Sequence, residues 1–397
     1  NVTINSGSTT TTVEQNIATL TITPDDLAAA ISLTVTGTAP VDIDTSLTTT
    51  GTGLMTVNAA GLTAQAAGTT TLKIDSTSQG TGGTASITGT AGDDTITTGN
   101  FATTIVGGSG NDALTGGTAA DNIAGDAGND TIVGSGGNDV LTGGDGNDTF
   151  TVAGTSVNVD GGAGNDLVNM DSTLSSGDTV TGGDGTDTLV LDAAATVAAA
   201  VGVSGFETLQ VDTAAVTQSM VQFPSSVNTF TTIAPNNNAL TTISNATSGT
   251  LTVDFSGASV AATTDITLTR LTDGTADAVV VNGSTAGASS VDELTFNDEE
   301  TITINGGDAS TEHMTVDLLT STDITTLTLA GSGNVVITGA IANATALATV
   351  NASGVGGTST VNASNSIAAI TATGSTGAFT FTGGLGADTI TGGAGDD

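Results

Sequence analysis

The sequence between Gly89 and Asn169 repeats with a period of nine residues, and this period constrains the fold more than any other feature. Residues 107–115 read GGSGNDALT, and residues 143–151 read GGDGNDTFT. The first six residues of a unit are rich in glycine and end in aspartate. Glycine permits the positive φ angles that a tight turn requires. The last three residues alternate, as in a short strand whose middle side chain points inward. Each unit therefore predicts one turn followed by one strand.

The eighth position of every unit is apolar, even where the turn sequence departs from the pattern. A flexible linker could also contain Gly-Asn-Asp turns, but it would have no reason to keep this phase. The unbroken row predicts a continuous, narrow core between two rows of strands. Its members are Ile96, Ile105, Leu114, Ile123, Ile132, Leu141, Phe150, Val159 and Val168.

Two units make one coil of the predicted structure, because successive turns lie on opposite edges. Turns on the same edge therefore recur every eighteen residues. This nonapeptide is typical of calcium-binding parallel β-helices, and aspartate is a hard oxygen ligand suited to calcium. The first edge carries Asp94, Asp112, Asp130, Asp148 and Asp166. The second edge carries Thr103, Asp121, Asp139 and Val157. If each ion lies between successive turns of one edge, the first edge holds four ions and the second holds one.

Further units follow outside this block. Residues 182–190 begin 21 residues after Gly161, so three additional residues must loop out, and Asp187 continues the first edge. Asp388 and Asp397 occupy the same position in two later units, which we also predict to bind calcium. The last unit stops before its strand residues, so we expect the chain to be a piece of a longer protein.

The charge balance indicates a dependence on cations. The chain carries 40 acidic residues against Lys73 and Arg270, which gives a net charge of −38. Self-repulsion of this size opposes a compact state, and it makes nucleic acid a poor partner. No apolar run approaches the roughly 20 residues of a membrane helix, so we expect no membrane insertion. Without Trp or Tyr, the core must consist of small and β-branched residues, which suits thin, repetitive β-architecture.

The remaining sequence also predicts strands, which makes the chain all-β. We divide it into a β-rich section (1–88), the calcium β-roll (89–190), a third section (191–373) and the start of a second repeat block (374–397). Sections 1–88 and 191–373 contain short alternating strands, and those of section 191–373 recur at intervals near ten residues. Such spacing is typical of either a β-helix or a β-sandwich, and the sequence leaves both open.

Catalysis is not indicated. His313 is the only histidine, and its neighbours contain no nucleophile motif. A hydrolytic triad or a zinc site would depend on this one residue, so a structural histidine is the favoured interpretation. The acidic clusters at 292–293 and 298–300 are interpreted as solvated loops, with extra calcium sites as the alternative.

The nonapeptides resemble the repeats-in-toxin (RTX) blocks that toxins, secreted proteases, lipases, adhesins and surface-layer proteins share. The order of segments 182–190, 205–211, 300–304 and 311–318 resembles the calcium-dependent surface-layer (S-layer) proteins of Gram-negative bacteria. The resemblance covers residues from about 89 to 397. It implies several calcium ions bound between coils by the motif aspartates, including Asp121 and Asp139. Thr103 and Val157 depart from the motif, which puts a full second row of ions in doubt.

The same resemblance implies type I secretion, a location at the cell surface, and calcium-driven assembly of identical copies into a two-dimensional lattice. A cell-surface polysaccharide is a further expected partner, through a region outside this chain. The main alternative is a calcium-rigidified RTX adhesin or surface filament. An RTX hydrolase is disfavoured, because it would need a catalytic domain that the sequence does not indicate.

Overall fold

A computed structural model confirms an all-β chain in which the paired strands are parallel. It describes residues 2–4, 9–14, 20–22, 31–37, 41–44, 54–62, 72–75, 84–171, 174–192, 195–196, 198–211, 217–221, 223, 225–231, 241–246, 248–255, 265–271, 274–283, 288–307 and 310–397. Over these ranges the helical content is one 3₁₀ turn, Ala199–Gly202. None of the described helical segments is long and apolar enough to span a membrane.

The chain forms two compact units, Asn1–Val190 with Ala198–Phe206, and Leu191–Val197 with Glu207–Asp397. The first unit contains two long parallel ladders and one short pair of strands, β1 (Val2–Ile4) with β3 (Leu20–Ile22). Ladder 1A consists of β2 (Thr9–Glu14), β4 (Ile31–Gly37), β6 (Leu54–Leu62), β8 (Thr84–Thr88), β10 (Ala102–Ser109), β12 (Asn122–Ala127), β14 (Val140–Asp145), β16 (Asn158–Ala163), β18 (Thr179–Asp184) and β20 (Val203–Ser204). Ladder 1B consists of β5 (Val41–Asp44), β7 (Leu72–Asp75), β9 (Thr95–Thr97), β11 (Ala113–Thr115), β13 (Thr131–Ser135), β15 (Thr149–Val152), β17 (Leu167–Met170) and β19 (Thr188–Leu191).

Alternate strands belong to alternate ladders, which is the arrangement of a parallel β-solenoid. In the repeat block Ile105 pairs with Ile123 and Leu114 with Ile132, so one coil takes eighteen residues as predicted. Every residue of the predicted apolar row has 0% of its surface exposed. The continuous core follows from this packing, since each coil buries its inward side chains against the coils on either side.

The second unit is also a parallel β-solenoid, built from two ladders. Ladder 2A consists of β21 (Thr208–Val211), β23 (Thr229–Thr231), β25 (Thr250–Asp254), β27 (Ala278–Asn282), β29 (Thr301–Asn305), β31 (Thr326–Gly331), β33 (Thr349–Val355), β35 (Thr371–Thr373) and β37 (Thr389–Thr391). Ladder 2B consists of β22 (Thr217–Ser219), β24 (Thr241–Ala246), β26 (Asp265–Arg270), β28 (Ser289–Phe296), β30 (Met314–Thr320), β32 (Val335–Ala340), β34 (Ser359–Asn362) and β36 (Phe379–Thr382).

The parallel pairing decides between the two architectures that the sequence left open for section 191–373. A β-sandwich is built from antiparallel sheets, whereas β27 pairs with β29, and β29 with β31, in parallel. The described strands of section 1–88 pair in parallel as well, as β4 does with β6. The sandwich alternative was therefore wrong for the described strands of both sections.

Candidate metal centre

The turns of the repeat block stack directly on one another, and glycine makes this possible. Gly144 and Gly146, at the second and fourth positions of their unit, have φ angles of 123° and 127°. A Cβ atom added to Gly146 would lie against the carbonyl oxygen of Gly128, one coil earlier. Only glycine combines the positive φ with this close approach at no steric cost. The glycines therefore keep successive turns in register and their carbonyl groups close together.

The sixth-position aspartates form a ladder of hydrogen bonds along the first edge. The backbone N–H of Asp112 donates to Asp130 Oδ1 at 2.7 Å, and that of Asp130 donates to Asp148 Oδ1 at 2.7 Å. The same bond connects Asp94 to Asp112, Asp148 to Asp166 and Asp166 to Asp187. Asp187 keeps its place although it follows 21 residues after Asp166, because the additional residues lie between β17 and β18.

A second, exposed ladder runs beside the aspartates. The N–H of Asn129 donates to Asn111 Oδ1 at 2.7 Å, and Asn147 and Asn165 continue the series. Asp93 begins it and the N–H of Thr186 ends it. Since each bond joins residues one coil apart, the fifth-position side chains fix the spacing of the turns between which the carboxylates lie.

The second carboxylate oxygen has no protein partner in the middle of the first edge. Asp112, Asp130, Asp148 and Asp166 each bury an Oδ2 atom that makes no hydrogen bond. Each of these atoms lies beside the first glycine of its own unit. A Cβ added to Gly143, for example, would meet both Asp148 Oδ2 and the carbonyl oxygen of Gly161 in the next coil. A carboxylate oxygen and a main-chain carbonyl oxygen thus converge at the same point in successive coils.

This donor set fits calcium. Calcium takes six to eight oxygen ligands, from carboxylates and backbone carbonyls. The described residues contain no group of three or more His, Cys, Asp or Glu side chains that could hold a metal alone, so carbonyl oxygens of the glycine turns must complete the coordination. A side chain at the first glycine would occupy the point where these oxygens meet, which explains why that position is glycine.

Burial also makes the carboxylates unfavourable as free anions. Desolvation raises the pKa of Asp112 to about 7, and the nearby charges of Asp94 and Asp130 add to the shift. Desolvation likewise raises the pKa of Asp139 and Asp148 to about 6. The pKa values of Asp121, Asp130 and Asp166 are raised by the same cause. A divalent cation beside these groups supplies the compensation that water provides to exposed aspartates.

Asp94 differs from the aspartates that follow it on the first edge. Its Oδ2 accepts a hydrogen bond from Thr90 N–H at 2.6 Å, and its Oδ1 accepts one from the Thr90 hydroxyl at 3.0 Å. Both oxygens are therefore engaged within their own turn. The unpartnered oxygens begin at Asp112, which places the most favourable calcium positions between Asp112 and Asp187.

The second edge has a shorter ladder of hydrogen bonds between its motif residues. The N–H of Thr103 donates to Asp121 Oδ1 at 2.7 Å, and that of Asp121 to Asp139 Oδ1 at 2.9 Å. Asp121 Oδ2 accepts from Gly117 N–H, whereas Asp139 Oδ2 is buried without a partner. One carboxylate on this edge therefore has an oxygen available for a cation, against four on the first edge.

Asp178 is a buried carboxylate that the sequence analysis missed. It stands on the second edge, 21 residues after Val157, and its Oδ1 accepts from the N–H groups of Ser156 and Val157. Its Oδ2 accepts from Ser175 N–H at 2.7 Å. Asp178 thus occupies the position of a motif aspartate but is satisfied by the protein. The insertion before it hides its phase, although Asp178 and the first two residues of β18, Thr179 and Val180, resemble the motif Asp-Thr-Ile.

Asp388 and Asp397 lie in the second compact unit, where each is the sixth residue of its nonapeptide and ends the turn. Asp388 Oδ1 accepts from Ile370 N–H at 2.9 Å, and its Oδ2 accepts from Gly384 N–H at 3.1 Å. Asp397 Oδ1 accepts from Phe379 N–H at 3.2 Å. The eighteen-residue hydrogen bond is therefore present at both positions, but both carboxylates are less buried than those of the first edge.

The acidic cluster at 298–300 is partly buried around Arg270, which the sequence analysis did not anticipate. Arg270 Nη2 lies 2.6 Å from Glu299 Oε2, and both side chains are fully buried. Burial raises the pKa of Glu299, and Arg270 opposes that rise. Asp277 Oδ2 is 4.0 Å from Arg270 Nε, and its N–H donates to Glu300 at 2.7 Å. The Arg270 guanidinium therefore supplies one positive charge at this corner, and it lies against the Glu299 carboxylate.

His313 is part of the strand framework. Its Nδ1 accepts a hydrogen bond from the N–H of Asn334 at 3.0 Å, and its carbonyl accepts one from Ser289. The side chain is half-buried and fixes a corner between neighbouring coils, as a structural histidine does.

The family described as "RTX calcium-binding nonapeptide repeat" matches residues 79–112, 97–132, 115–150, 174–195 and 372–397. The turns are RTX calcium-binding repeats. The matches omit the stretch around Val157, where the second edge lacks its motif aspartate. Such repeats indicate multiple calcium ions, and they are typical of secreted proteins. No curated protein matches the chain.

Proposed function

We propose that this chain is a structural subunit of a surface layer, which folds and assembles into a two-dimensional lattice when it binds calcium outside the cell. The observation that carries the proposal is the row of buried Oδ2 atoms without hydrogen-bond partners at Asp112, Asp130, Asp148 and Asp166. Each would face a cation between coils, so calcium becomes part of the core rather than a surface ligand.

Calcium would couple folding to location. Extracellular calcium modules bind with dissociation constants of roughly 10⁻⁴ to 10⁻³ M, far above cytosolic calcium levels. At a hundredfold excess over its dissociation constant, each ion stabilises the fold by about 2.7 kcal/mol. The repeats would therefore stay unfolded before export and fold afterwards.

Assembly would depend on calcium for a second reason. Copies with a net charge of −38 repel one another. Of the two basic residues, Arg270 is buried against Glu299, so its guanidinium is engaged inside its own chain. Divalent cations are then the available means of joining acidic surfaces. RTX repeats are typical of non-enzymatic structural proteins, although some enzymes carry them, and the half-buried His313 supports no catalytic role.

Electron microscopy of the chain tests the proposal. We expect ordered sheets in millimolar calcium and none in chelator. Asp148→Asn should impair assembly, because Asp148 is buried on the first edge, whereas Asp145→Asn makes the same charge change at an exposed position of the same unit and should assemble normally. Dispersed, folded chains in both conditions would refute calcium-driven assembly.

A calcium-rigidified adhesin or filament is the second candidate. The observation that favours it is the parallel pairing of strands from successive coils within each unit. A regular stack of coils of this kind suits a rigid spacer. Fibres in calcium, in place of sheets, would support this candidate over the surface layer.

A further inference from the structure

The outward face of ladder 2A is a regular array of threonine. On β29, β31, β33, β35 and β37 the first and third residues of each strand face away from the core, and nine of these ten residues are threonine. They form two columns, in which each residue pairs with its equivalent on the next strand. One column is Thr301, Thr326, Thr349, Thr371 and Thr389. The other is Thr303, Thr328, Asn351, Thr373 and Thr391.

These side chains are stiff and available. Threonine is β-branched, so its χ1 angle is restricted and its hydroxyl and methyl groups hold a fixed direction. None of the ten side chains is buried. Among the described residues, the nine threonine hydroxyls of this array make no hydrogen bond to the protein, whereas Thr338 on ladder 2B donates to Asp317. The array therefore presents solvent-accessible hydroxyls, without protein partners among the described residues, beside methyl groups at fixed intervals.

The array is also free of charge, although the chain as a whole carries 40 acidic residues. Ladder 2B of the same unit carries Asp265, Asp292, Glu293 and Asp317 on its strands. Asp265 is paired directly with Glu293, and burial together with the charges of Asp292 and Glu293 raises its pKa. A cationic ligand would meet carboxylates on ladder 2B. The uncharged threonine columns on ladder 2A suit a neutral, hydrogen-bonding ligand.

The dimensions of the array point to a partner that is itself a lattice. Neighbouring strands lie about 4.8 Å apart, and alternate residues along a strand are separated by about 6.6 Å. The first repeat is close to one spacing of oxygen atoms on exposed planes of ice, and the second is somewhat shorter than the other spacing. We propose that the threonine face of ladder 2A binds ice, with hydroxyls occupying oxygen positions and methyl groups filling the hollows between them. This activity is independent of the surface-layer function.

Two other occupants fit less well. A face five strands long and two residues wide covers on the order of 200 Å², well below the roughly 800 Å² per partner of a stable protein interface. A crystalline polysaccharide would be expected to stack its sugars on aromatic rings, and the chain has no Trp and no Tyr. Ice requires neither a large interface per copy nor aromatic residues.

Partition of the chain into slowly growing ice, in calcium-containing buffer, tests the proposal. Thr328→Lys places a long, hydrated charge at the centre of the array. Thr315→Lys makes the same change at an outward position of β30 on ladder 2B and is the matched control. A third variant combines Thr303→Val, Thr328→Val and Thr373→Val, which keeps the β-branched shape and removes three hydroxyls. Far-UV circular dichroism checks that each variant retains its strands.

We expect the chain and the Thr315→Lys control to be enriched in the ice, and Thr328→Lys to be excluded as an unrelated acidic protein is. The valine variant should show a partial loss. Exclusion of the unmodified chain from ice would overturn the proposal, as would equal retention of the two lysine variants. Light scattering in liquid water that shows dimers lost only with Thr328→Lys, without ice enrichment, would assign the face to a second copy instead.

Discussion

Replacement of Asp148 by asparagine should change the stability of the repeat block with opposite signs in calcium and in chelator. Asp148 is 1% exposed. Its Oδ1 accepts the N–H of Asp130 at 2.7 Å, and an asparagine carbonyl can still do so. The change therefore affects chiefly the unpartnered Oδ2, which becomes an NH₂ group that donates hydrogen bonds and cannot bind a cation.

The two magnitudes follow from the site. At a calcium concentration a hundredfold above the dissociation constant, loss of one ion costs about 2.7 kcal/mol. Without calcium, burial of the ionised carboxylate is itself unfavourable, because the pKa of Asp148 rises from 3.8 to about 6. A shift of two pKa units corresponds to roughly 3 kcal/mol at neutral pH, which asparagine would recover in part. The substitution should thus destabilise the calcium-bound chain and stabilise the calcium-free chain.

Urea unfolding followed by far-UV circular dichroism measures both effects, since the chain has no Trp or Tyr to report by fluorescence. Asp145→Asn is the control, and exposed substitutions of this kind change stability by no more than about 0.5 kcal/mol. Destabilisation by Asp148→Asn to the same extent in calcium and in chelator would contradict the assignment of Oδ2 as a calcium ligand.

Three further results are expected. Without calcium, the raised pKa values of the buried aspartates contribute stability that is fully present below pH 3.8 and is lost as pH rises through about 6 to 7. Acidification from pH 7.5 to 5 should therefore raise the melting temperature in chelator, and it should weaken calcium binding measured by calorimetry. A melting temperature that falls in chelator on acidification would contradict this reasoning. Gly128→Ala should destabilise the fold by at least about 1 kcal/mol in urea unfolding, because Gly128 has a φ angle of 135° and faces the Gly110 carbonyl. The control is Gly136→Ala, which should be nearly neutral because a Cβ atom added there would have no atom within 4 Å. Glu299→Gln should cost about 3 to 5 kcal/mol, because it removes the carboxylate 2.6 Å from the buried Arg270 guanidinium and leaves the more distant Asp277 carboxylate to offset that charge. It should also increase trypsin cleavage after Arg270, which the intact fold buries. Unchanged cleavage would show that the Arg270–Glu299 pair does not stabilise this corner.

The repeat block could be predicted in detail because turn and strand lengths there are constant. With a fixed period, the sequence determines which residues are inward, such as Phe150, and which aspartates share an edge. Section 191–373 offered no such period. Its coils vary from 28 residues between Thr252 and Val280 to 21 between Met314 and Val335. Alternation of apolar and polar residues is the same in a parallel coil and an antiparallel sandwich, so only the strand pairing could decide.

The calcium site also combines features that the sequence predicts with features that only the structure reveals. The stacked aspartates followed from phase alone, but their hydrogen-bond partners did not. That Asp94 is satisfied by Thr90, and Asp178 by Ser175 and Val157, depends on local turn conformation. The Arg270–Glu299 pair joins residues 29 apart, across a coil whose length the sequence does not reveal.

Anomalous X-ray diffraction from crystals grown in calcium would test the central claim most directly, because it locates each ion without reference to activity or assembly. We predict four ions along the first edge, beside the Oδ2 atoms of Asp112, Asp130, Asp148 and Asp166, and one on the second edge beside Asp139. Equal numbers of ions on the two edges, or calcium only at exposed carboxylates such as Asp145, would contradict it.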